Sequence, residues 1–197
     1  MFASDDSYPD PIDRYLNAAA RARDAGMDTV PAALATADVS RHPSVRVVLL
    51  RQVDTRGFVF FTNYRSRKGR ELTANPHAAL CQHWPGIEEQ IRIEGTVELI
   101  DPADSDAYFA GRPRDSQIGA WASDQSQALA SRSALEARYK EVAARFDGQP
   151  VTRPPFWGGF RVAPEVMEFW YGRAGRLHER LEYRKGASGW TTRWLNP

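Results

Sequence analysis

The sequence predicts a mostly antiparallel β-barrel, closed or split, with helices at its periphery. Apolar residues alternate with a period of two in five runs between residues 32 and 100, which is typical of half-buried strands. The segments that join these runs are too short for repeated strand–helix–strand crossovers, so a doubly wound parallel sheet is disfavoured. Closing the sheet into a barrel removes most of its exposed edges.

The composition is that of an ordinary globular chain. Of 197 residues, 42% are hydrophobic and 26% are charged, and 26 Lys and Arg against 25 Asp and Glu leave no charge excess for binding nucleic acid. A single cysteine, Cys81, excludes an intrachain disulfide and a cysteine-rich metal site, and the histidines lack metal-ligand spacing. We expect no bound metal, no membrane span and, because the N-terminus does not read as a secretory signal, a cytoplasmic location.

The first half of the chain is predicted to hold two helices and five strands. Residues 1–9 are expected to form a loose tail, and Asp10 followed by Pro11 predicts a helix that Gly26 ends. Ser66 is predicted to cap a short helix between the third and fourth strands. The five strands are predicted over residues 32–37, 44–52, 57–63, 77–84 and 88–100.

The second half is predicted to hold two more helices and then a group of strands. One helix is predicted to begin at Asp101 and to be ended by Pro113. Another is predicted to begin at Ser133, which has the spacing of a capping box with Glu136. Three strands are then predicted over residues 158–164, 165–171 and 176–184, the last turning back into a final strand.

Arginines in the first half of the chain are candidates for binding an anion. At the start of the helix capped by Ser66, Arg67 and Lys68 place cations where unpaired N–H groups already favour an anion. Arg46 and Arg51 lie five residues apart on one predicted strand and should point to opposite faces. The alternative for each of these side chains is an exposed, solvated position.

A third candidate group surrounds the predicted helix end at Pro113. Tyr108 and Arg112 are four residues apart on one helix face, and Ser116 follows just beyond the break. A guanidinium, a phenol and a hydroxyl that converge in this way could grip a phosphate, although a pair on the helix surface is the alternative.

A fourth candidate group lies near the C-terminus. Arg176, His178 and Arg180 would share one face of the predicted strand over residues 176–184, with the intervening leucines on the other face. Three cationic or titratable groups in a row suit an anionic pocket, and the solvent face of an edge strand is the alternative.

Several long stretches resemble the pyridoxamine 5′-phosphate oxidase family, in family order and with family-like spacing from about residue 30 to residue 197. The most specific are RPRDSQIGAWAS, within residues 108–126, and RLHER, residues 176–180. The other matching stretches are RVVLLR (46–51), FFTNYRSRKGREL (60–72), EEQIRIEG (88–95), PPFWGGFRV (154–162), EFWYGRAG (168–175) and the closing WLNP.

The resemblance implies an FMN-binding split β-barrel, antiparallel and Greek-key-like, that acts as a homodimer with FMN between the subunits. It divides the chain into an N-terminal tail and helix, residues 1–30, and a single FMN-binding domain, residues 31–197. By motif, the FMN-binding residues would be Arg46, Val47, Val48, Leu49, Phe61, Thr62, Ser66, Arg67, Lys68, Gln90, Gln125, Ser126, Trp170 and Arg180.

The reaction that the resemblance implies is oxidation of pyridoxamine or pyridoxine 5′-phosphate to pyridoxal 5′-phosphate, with O2 reduced to H2O2. Arg176 and His178 would lie over the pyridine ring, where Arg176 would orient the substrate and His178 would accept a proton. The residues that would bind the substrate phosphate are Arg51, Tyr108, Arg112 and Ser116.

The chain departs from the family pattern at several positions, among them Tyr171 where glutamine is usual, and two other functions stay open. Lysine is usual at Arg51, tyrosine is common at Phe61, and a polar residue is usual at Gly175. A phenazine-biosynthesis flavin oxidase, which acts on a tricyclic acid without phosphate, would leave the phosphate-binding group unused. A non-catalytic carrier of FMN or pyridoxal 5′-phosphate would have no need of Arg176 and His178.

Overall fold

The computed structural model describes residues 8–197, in which eight strands and five α-helices form. The tail predicted over residues 1–9 lies, up to residue 7, outside the described residues. The helices are α1 (Pro11–Asp24), α2 (Arg67–Ala74), α3 (Pro102–Ala110), α4 (Arg114–Ala122) and α5 (Arg132–Arg145). The strands are β1 (Pro31–Ala37), β2 (Pro43–Asp54), β3 (Gly57–Asn63), β4 (His77–Trp84), β5 (Glu89–Leu99), β6 (Trp157–Tyr171), β7 (Glu179–Gly186) and β8 (Gly189–Leu195).

The strands form one antiparallel sheet in the order β3-β2-β1-β4-β5-β6-β7-β8, and β3 pairs again with β6. The β3–β6 pairing closes the first six strands of this order into a barrel, while β7 and β8 extend the sheet beyond it. Placing β4 beside β1 after the β1-β2-β3 meander gives the Greek-key order. The antiparallel barrel with peripheral helices that the sequence predicts is therefore confirmed.

Strand β6 corrects one prediction, because residues 158–164 and 165–171 form a single strand rather than two. The first half of β6 pairs with β3 and the second half with β7, while β5 runs along most of its length. The register with β5 shifts where Gly95 faces Pro164. Proline cannot donate to the ladder, so the strand contains a bulge at this point and then continues.

Within residues 8–197, side-chain caps begin four of the five α-helices, and one of these caps was wrongly assigned from the sequence. The carboxylate of Asp10 accepts from the N–H of Ile12 at 2.8 Å, and the hydroxyl of Ser66 accepts from that of Gly69 at 3.2 Å, as predicted. For α5 the capping hydroxyl belongs to Ser131 and not to Ser133. The predicted capping box is wrong, because helical geometry already starts at residue 132.

Helix α4 was not predicted, since Pro113 was interpreted only as the end of the preceding helix. That helix, α3, ends earlier, at Ala110. Pro113 has φ −53° and ψ 139°, an extended conformation from which the chain leads directly into α4. Ser116 therefore lies in the first turn of α4.

Two clusters of buried apolar residues form the core of residues 8–197. The larger fills the barrel and includes α1, whose Tyr15 packs edge-on against Phe58 with 4.8 Å between ring centroids. The smaller joins α3, α4 and α5 to the start of β6 through Phe109, Ile118 and Trp157. The smaller cluster fixes α3 and α4 beside β3. Within residues 8–197, each helix is too short or too polar to cross a membrane.

Candidate functional site

A cavity of about 490 Å³ opens where strands β2 and β3 face helices α2, α3 and α4. The cavity brings together residues as far apart in the chain as Val47 and Trp157, because α3 and α4 are packed against the start of β6. Its lining includes these residues selected from the sequence: Val47, Val48, Leu49, Arg51, Phe61, Thr62, Lys68, Tyr108, Arg112, Ser116 and Gln125.

Arg112 is held at the cavity wall by aromatic rings. Its guanidinium carbon lies 4.6 Å from the centroid of the Trp157 ring and 5.5 Å from that of Phe109. Burial lowers the pKa of Arg112, and the nearby charge of Arg51 lowers it further. Its Nη1 is buried and, within residues 8–197, has no hydrogen-bond partner. A buried donor without an acceptor costs roughly 1–3 kcal/mol, so this atom is suited to an anionic ligand.

Three rings form a stack beside Arg112. Tyr108 lies parallel to Phe61, with 3.8 Å between their centroids, and Phe61 lies nearly parallel to Trp157 at 5.5 Å. The stack places the edge of Tyr108 in the cavity together with Ser116 from the first turn of α4. The predicted phosphate-binding residues thus share one cavity with the unpartnered Nη1.

Lys68 is the second buried cation of the cavity. Its side chain donates to Thr62 Oγ1 at 3.2 Å, and that hydroxyl donates to Gln125 Oε1 at 3.2 Å. Burial lowers the pKa of Lys68, Arg46 lowers it further, and Glu71 opposes the change. In the part of the chain that the structure describes, the ammonium forms no ion pair. Half-buried Arg112 and buried Lys68 have no carboxylate partner within residues 8–197, so the cavity suits one or two anionic groups.

Arg46 and Arg67 both contact Glu71, a residue that the sequence analysis did not select. Arg67 Nε donates to Glu71 Oε1 at 2.8 Å, and Arg46 Nη2 donates to Oε2 at 3.3 Å. Glu71 lies four residues after Arg67 on α2, a spacing that could have indicated the pair. Ser66 is fully buried as the cap of this helix, and Ser126 is exposed with φ 70°.

The remaining selected residues lie in a second region, on β5, β6 and β7 and in the segment just before β7. Gln90, Trp170 and Arg180 are register neighbours on these three strands. Arg180 forms two hydrogen bonds with the carboxylate of Glu168, at 2.8 and 3.1 Å. The ring of His178 lies 4.6 Å from that of Trp170, and a cavity of about 640 Å³ is lined by His178, Arg180 and the last four residues of the chain.

The placement of Arg176, His178 and Arg180 on one strand face is wrong. Strand β7 begins only at residue 179, and residues 174–176 form a short helical turn. Gly175 and Arg176 have φ of 67° and 62°, in the left-handed region, so the alternation of a strand cannot apply. The turn leaves Arg176 exposed, and the Nδ1 of His178 accepts from the N–H of Arg173 at 3.1 Å.

Two family models match this chain and together cover most of it. The model described as pyridoxamine 5′-phosphate oxidase matches residues 22–146. The model described as the pyridoxine 5′-phosphate oxidase C-terminal dimerisation region matches residues 157–197. The cavity between β2, β3 and the helices therefore lies largely within the first match. The region around His178 and Arg180 lies within the second match.

Curated relatives match over nearly the whole length. The chain is 55% identical over 190 residues to a pyridoxine/pyridoxamine 5′-phosphate oxidase from Anaeromyxobacter dehalogenans, with 96% of both chains covered. It is 51% identical over 196 residues to a protein of the same name from Rubrobacter xylanophilus, covering 99% of this chain and 90% of that one.

Solved structures show the same fold. The PhzG protein of Burkholderia lata, in complex with tetrahydrophenazine-1-carboxylic acid, is 35% identical with a TM-score of 0.93, covering 100% of this chain and 98% of that one. An FMN-binding protein from Nostoc punctiforme, related to pyridoxamine 5′-phosphate oxidase, has a TM-score of 0.74 at 19% identity and supports the fold alone, with 93% and 97% covered.

Proposed function

The chain belongs to the pyridoxamine 5′-phosphate oxidase family, and we propose that it oxidises pyridoxamine or pyridoxine 5′-phosphate to pyridoxal 5′-phosphate with FMN and O2. The observation that carries this proposal is the buried Nη1 of Arg112, which lacks a protein partner within residues 8–197 and lies in the same cavity as buried Lys68. A phosphorylated substrate beside a phosphorylated cofactor gives each of these cations an anion.

In this proposal Arg112 is the centre of the substrate phosphate site. Its guanidinium lies over the Trp157 ring, and Tyr108 and Ser116 would add hydroxyl donors from α3 and α4. Arg51, exposed on β2, would supply a second guanidinium at the mouth of the cavity. Charge-assisted hydrogen bonds to a phosphate are stronger than neutral ones, so the group would hold the substrate chiefly by its phosphate.

The cofactor would occupy the side of the cavity formed by β2, β3 and α2. Lys68, with Arg46 and Arg67 beside it, would bind the FMN phosphate, and Thr62 and Gln125 would contact the rest of the molecule. When bound, FMN supplies the hydride acceptor and the group that O2 reoxidises with release of H2O2. The protein's part is to place the substrate carbon and to exclude competing water.

We propose that a homodimer completes the site, with the second region of one subunit facing the cavity of the other. Val45, Val47 and Leu49 lie along one face of β2 and are 70%, 65% and 44% exposed, a row of apolar side chains that a second subunit would cover. The match of residues 157–197 to a dimerisation region supports this arrangement. Gln90, Trp170 and Arg180 would then complete the FMN site.

Arg176 would orient the substrate ring and stabilise the negative charge that the hydride acceptor would gain. Its exposed position on a left-handed turn suits a side chain that reaches toward another subunit. For His178 the geometry favours a modified role. Because Nδ1 accepts from Arg173, the neutral ring carries its proton on Nε2, so His178 would donate a hydrogen bond to the substrate rather than accept a proton.

The phenazine-type oxidase is the second candidate, and the similarity to PhzG favours it. The ligand in the PhzG structure carries a carboxylate, which one guanidinium can bind, and it has no phosphate. The grouping of Tyr108, Arg112 and Ser116 around one point favours the phosphorylated substrate instead. A carrier without catalysis would share these phosphate sites, so only a measurement of turnover separates it.

One spectroscopic experiment tests the proposed reaction. The purified protein, reconstituted with FMN, is mixed with pyridoxine 5′-phosphate in the absence of oxygen, and the flavin absorbance is followed. We expect the flavin band to bleach and to return when air is admitted. A flavin that stays oxidised with pyridoxine and pyridoxamine 5′-phosphate alike would contradict the oxidase proposal. Reduction by tetrahydrophenazine-1-carboxylic acid alone would support the phenazine-type candidate.

A further inference from the structure

We infer that Glu71 is a positioning residue that fixes Arg46 and Arg67 at the phosphate end of the FMN site, with one arginine on each carboxylate oxygen. The inference rests on the proposed function and goes beyond it, because Glu71 is an anion and would not itself bind a phosphate. Its role would be to aim two cations that do.

The carboxylate of Glu71 is buried and fully used. Its side chain is 6% exposed. Oε1 accepts from Arg67 Nε at 2.8 Å, and Oε2 accepts from Ser44 Oγ at 2.7 Å, from Arg46 Nη2 at 3.3 Å and from Thr36 Oγ1. These donors come from β1, β2 and α2, so the carboxylate ties the start of the helix to two barrel strands.

The two arginines are held in different ways. Arg46 is 20% exposed and also donates to Thr36 Oγ1, Ser44 Oγ and the carbonyl of Leu34, so it is fixed on several sides. Arg67 is 57% exposed, and in the described chain its hydrogen bonds use Nε alone. Both terminal nitrogens of Arg67 therefore stay available, in a plane that Glu71 sets.

Charge and geometry make opposite predictions for the removal of Glu71. The site is surrounded by three cations, Arg46, Arg67 and Lys68. Replacing the carboxylate of Glu71 with an amide makes the net charge of the site more positive, which by itself should strengthen phosphate binding. The amide, however, turns an NH2 group toward the donors of Ser44 and Arg46 and can accept from only one side. We expect this geometric loss to exceed the charge gain, because a misaimed guanidinium forfeits charge-assisted hydrogen bonds.

The test compares FMN with riboflavin, which lacks the phosphate, by flavin fluorescence titration of the apoprotein. We expect Glu71→Gln to weaken FMN binding by about tenfold or more and riboflavin binding by less than about twofold. Glu71→Asp keeps the charge but is too short for both arginines, so we expect it to weaken FMN binding as well. Glu136→Gln, which removes an exposed carboxylate paired with Arg132, is the matched control and should leave both affinities unchanged.

Three outcomes would overturn the inference. The first is unchanged or tighter FMN binding by Glu71→Gln, which would assign the residue a charge effect only. The second is an equal loss of FMN and riboflavin binding by both variants, which would assign it a general structural role. The third is a wild-type protein that binds FMN no better than riboflavin, which would overturn the proposed cofactor site as well. If Glu71→Gln does not fold, the same comparison with Glu71→Asp decides.

Discussion

The guanidinium of Arg112 lies over the indole ring of Trp157, with 4.6 Å between the guanidinium carbon and the ring centroid. This contact holds a charged group in a buried place without neutralising it. The ring makes a cation–π contact with one face of the guanidinium. The Nη1 donor, which has no hydrogen-bond partner within residues 8–197, remains available to a ligand. A cation prepared in this way binds an incoming anion with little reorganisation.

We expect Arg112→Ala to raise the KM for pyridoxine 5′-phosphate by about 10- to 100-fold, the equivalent of one charge-assisted contact. FMN affinity should change by less than about twofold, because FMN is bound by other cations. Steady-state kinetics and flavin titration measure the two effects. Arg132→Ala, at an exposed position on α5, is the control. An unchanged KM would remove Arg112 from the substrate site.

We expect Arg176→Ala to lower kcat by about 100-fold or more while FMN stays bound, since loss of a group that stabilises developing charge typically has this size. The flavin absorbance of the purified variant reports on cofactor retention, and anaerobic single-turnover reduction reports on the chemical step. Wild-type rates of flavin reduction in the variant would exclude Arg176 from the mechanism.

Acid should destabilise the protein partly through Glu71. Its hydrogen bonds and the neighbouring arginines lower the pKa to about 2 from an ordinary value of 4.5, against the opposing effect of burial. A lowered folded-state pKa gives stability that is present above the unfolded value and is lost as the pH falls from about 4.5 to about 2.

Urea unfolding at pH 6 and at pH 3 measures this contribution. The difference in free energy of unfolding between the two pH values should be smaller in Glu71→Gln by roughly 1–3 kcal/mol. Glu136→Gln should leave the difference as it is in the wild type. An identical pH dependence in Glu71→Gln and the wild type would show that the carboxylate titrates alike in the folded and unfolded chains.

Gly95→Ala should destabilise the barrel by about 1–3 kcal/mol, because an added Cβ would lie 2.0 Å from the carbonyl oxygen of Ala163. The backbone of β6 would have to move at the bulge. Gly119→Ala, on α4, is the matched control, since a Cβ there meets nothing within 4 Å and alanine favours a helix. Thermal unfolding compares them, and a Gly95→Ala variant as stable as the wild type would show that the bulge is adaptable.

Strand alternation made most of the barrel predictable, and local irregularity hid the rest. Runs such as residues 32–37 keep one side chain in two inside the core, so the pattern survives in the sequence. At Pro164 the strand continues through a bulge of its own, and at Arg176 two left-handed residues interrupt a run that still looks alternating. Neither event has a signature in side-chain hydrophobicity.

The candidate site was predictable as a set of residue types and not as an arrangement. The sequence selected Arg112 and Lys68 as cations, but only the packing of α3 and α4 beside β3 places them in one cavity. It also could not show that Arg176 and His178 lie in a separate region of the same chain. Glu71 was overlooked because a carboxylate four residues after an arginine is common on any helix surface.

Strand β6 has a consequence for how relatives of this protein can be recombined. The two family matches meet between residues 146 and 157, which suggests a natural joint for exchanging C-terminal segments. Yet the segment after that joint begins with the strand that closes the barrel against β3. A chimera joined there would have to form the β3–β6 pairing with a β6 strand from another protein. A junction after Tyr171 would keep the native β6 in each barrel and exchange only the segment that contains β7 and β8.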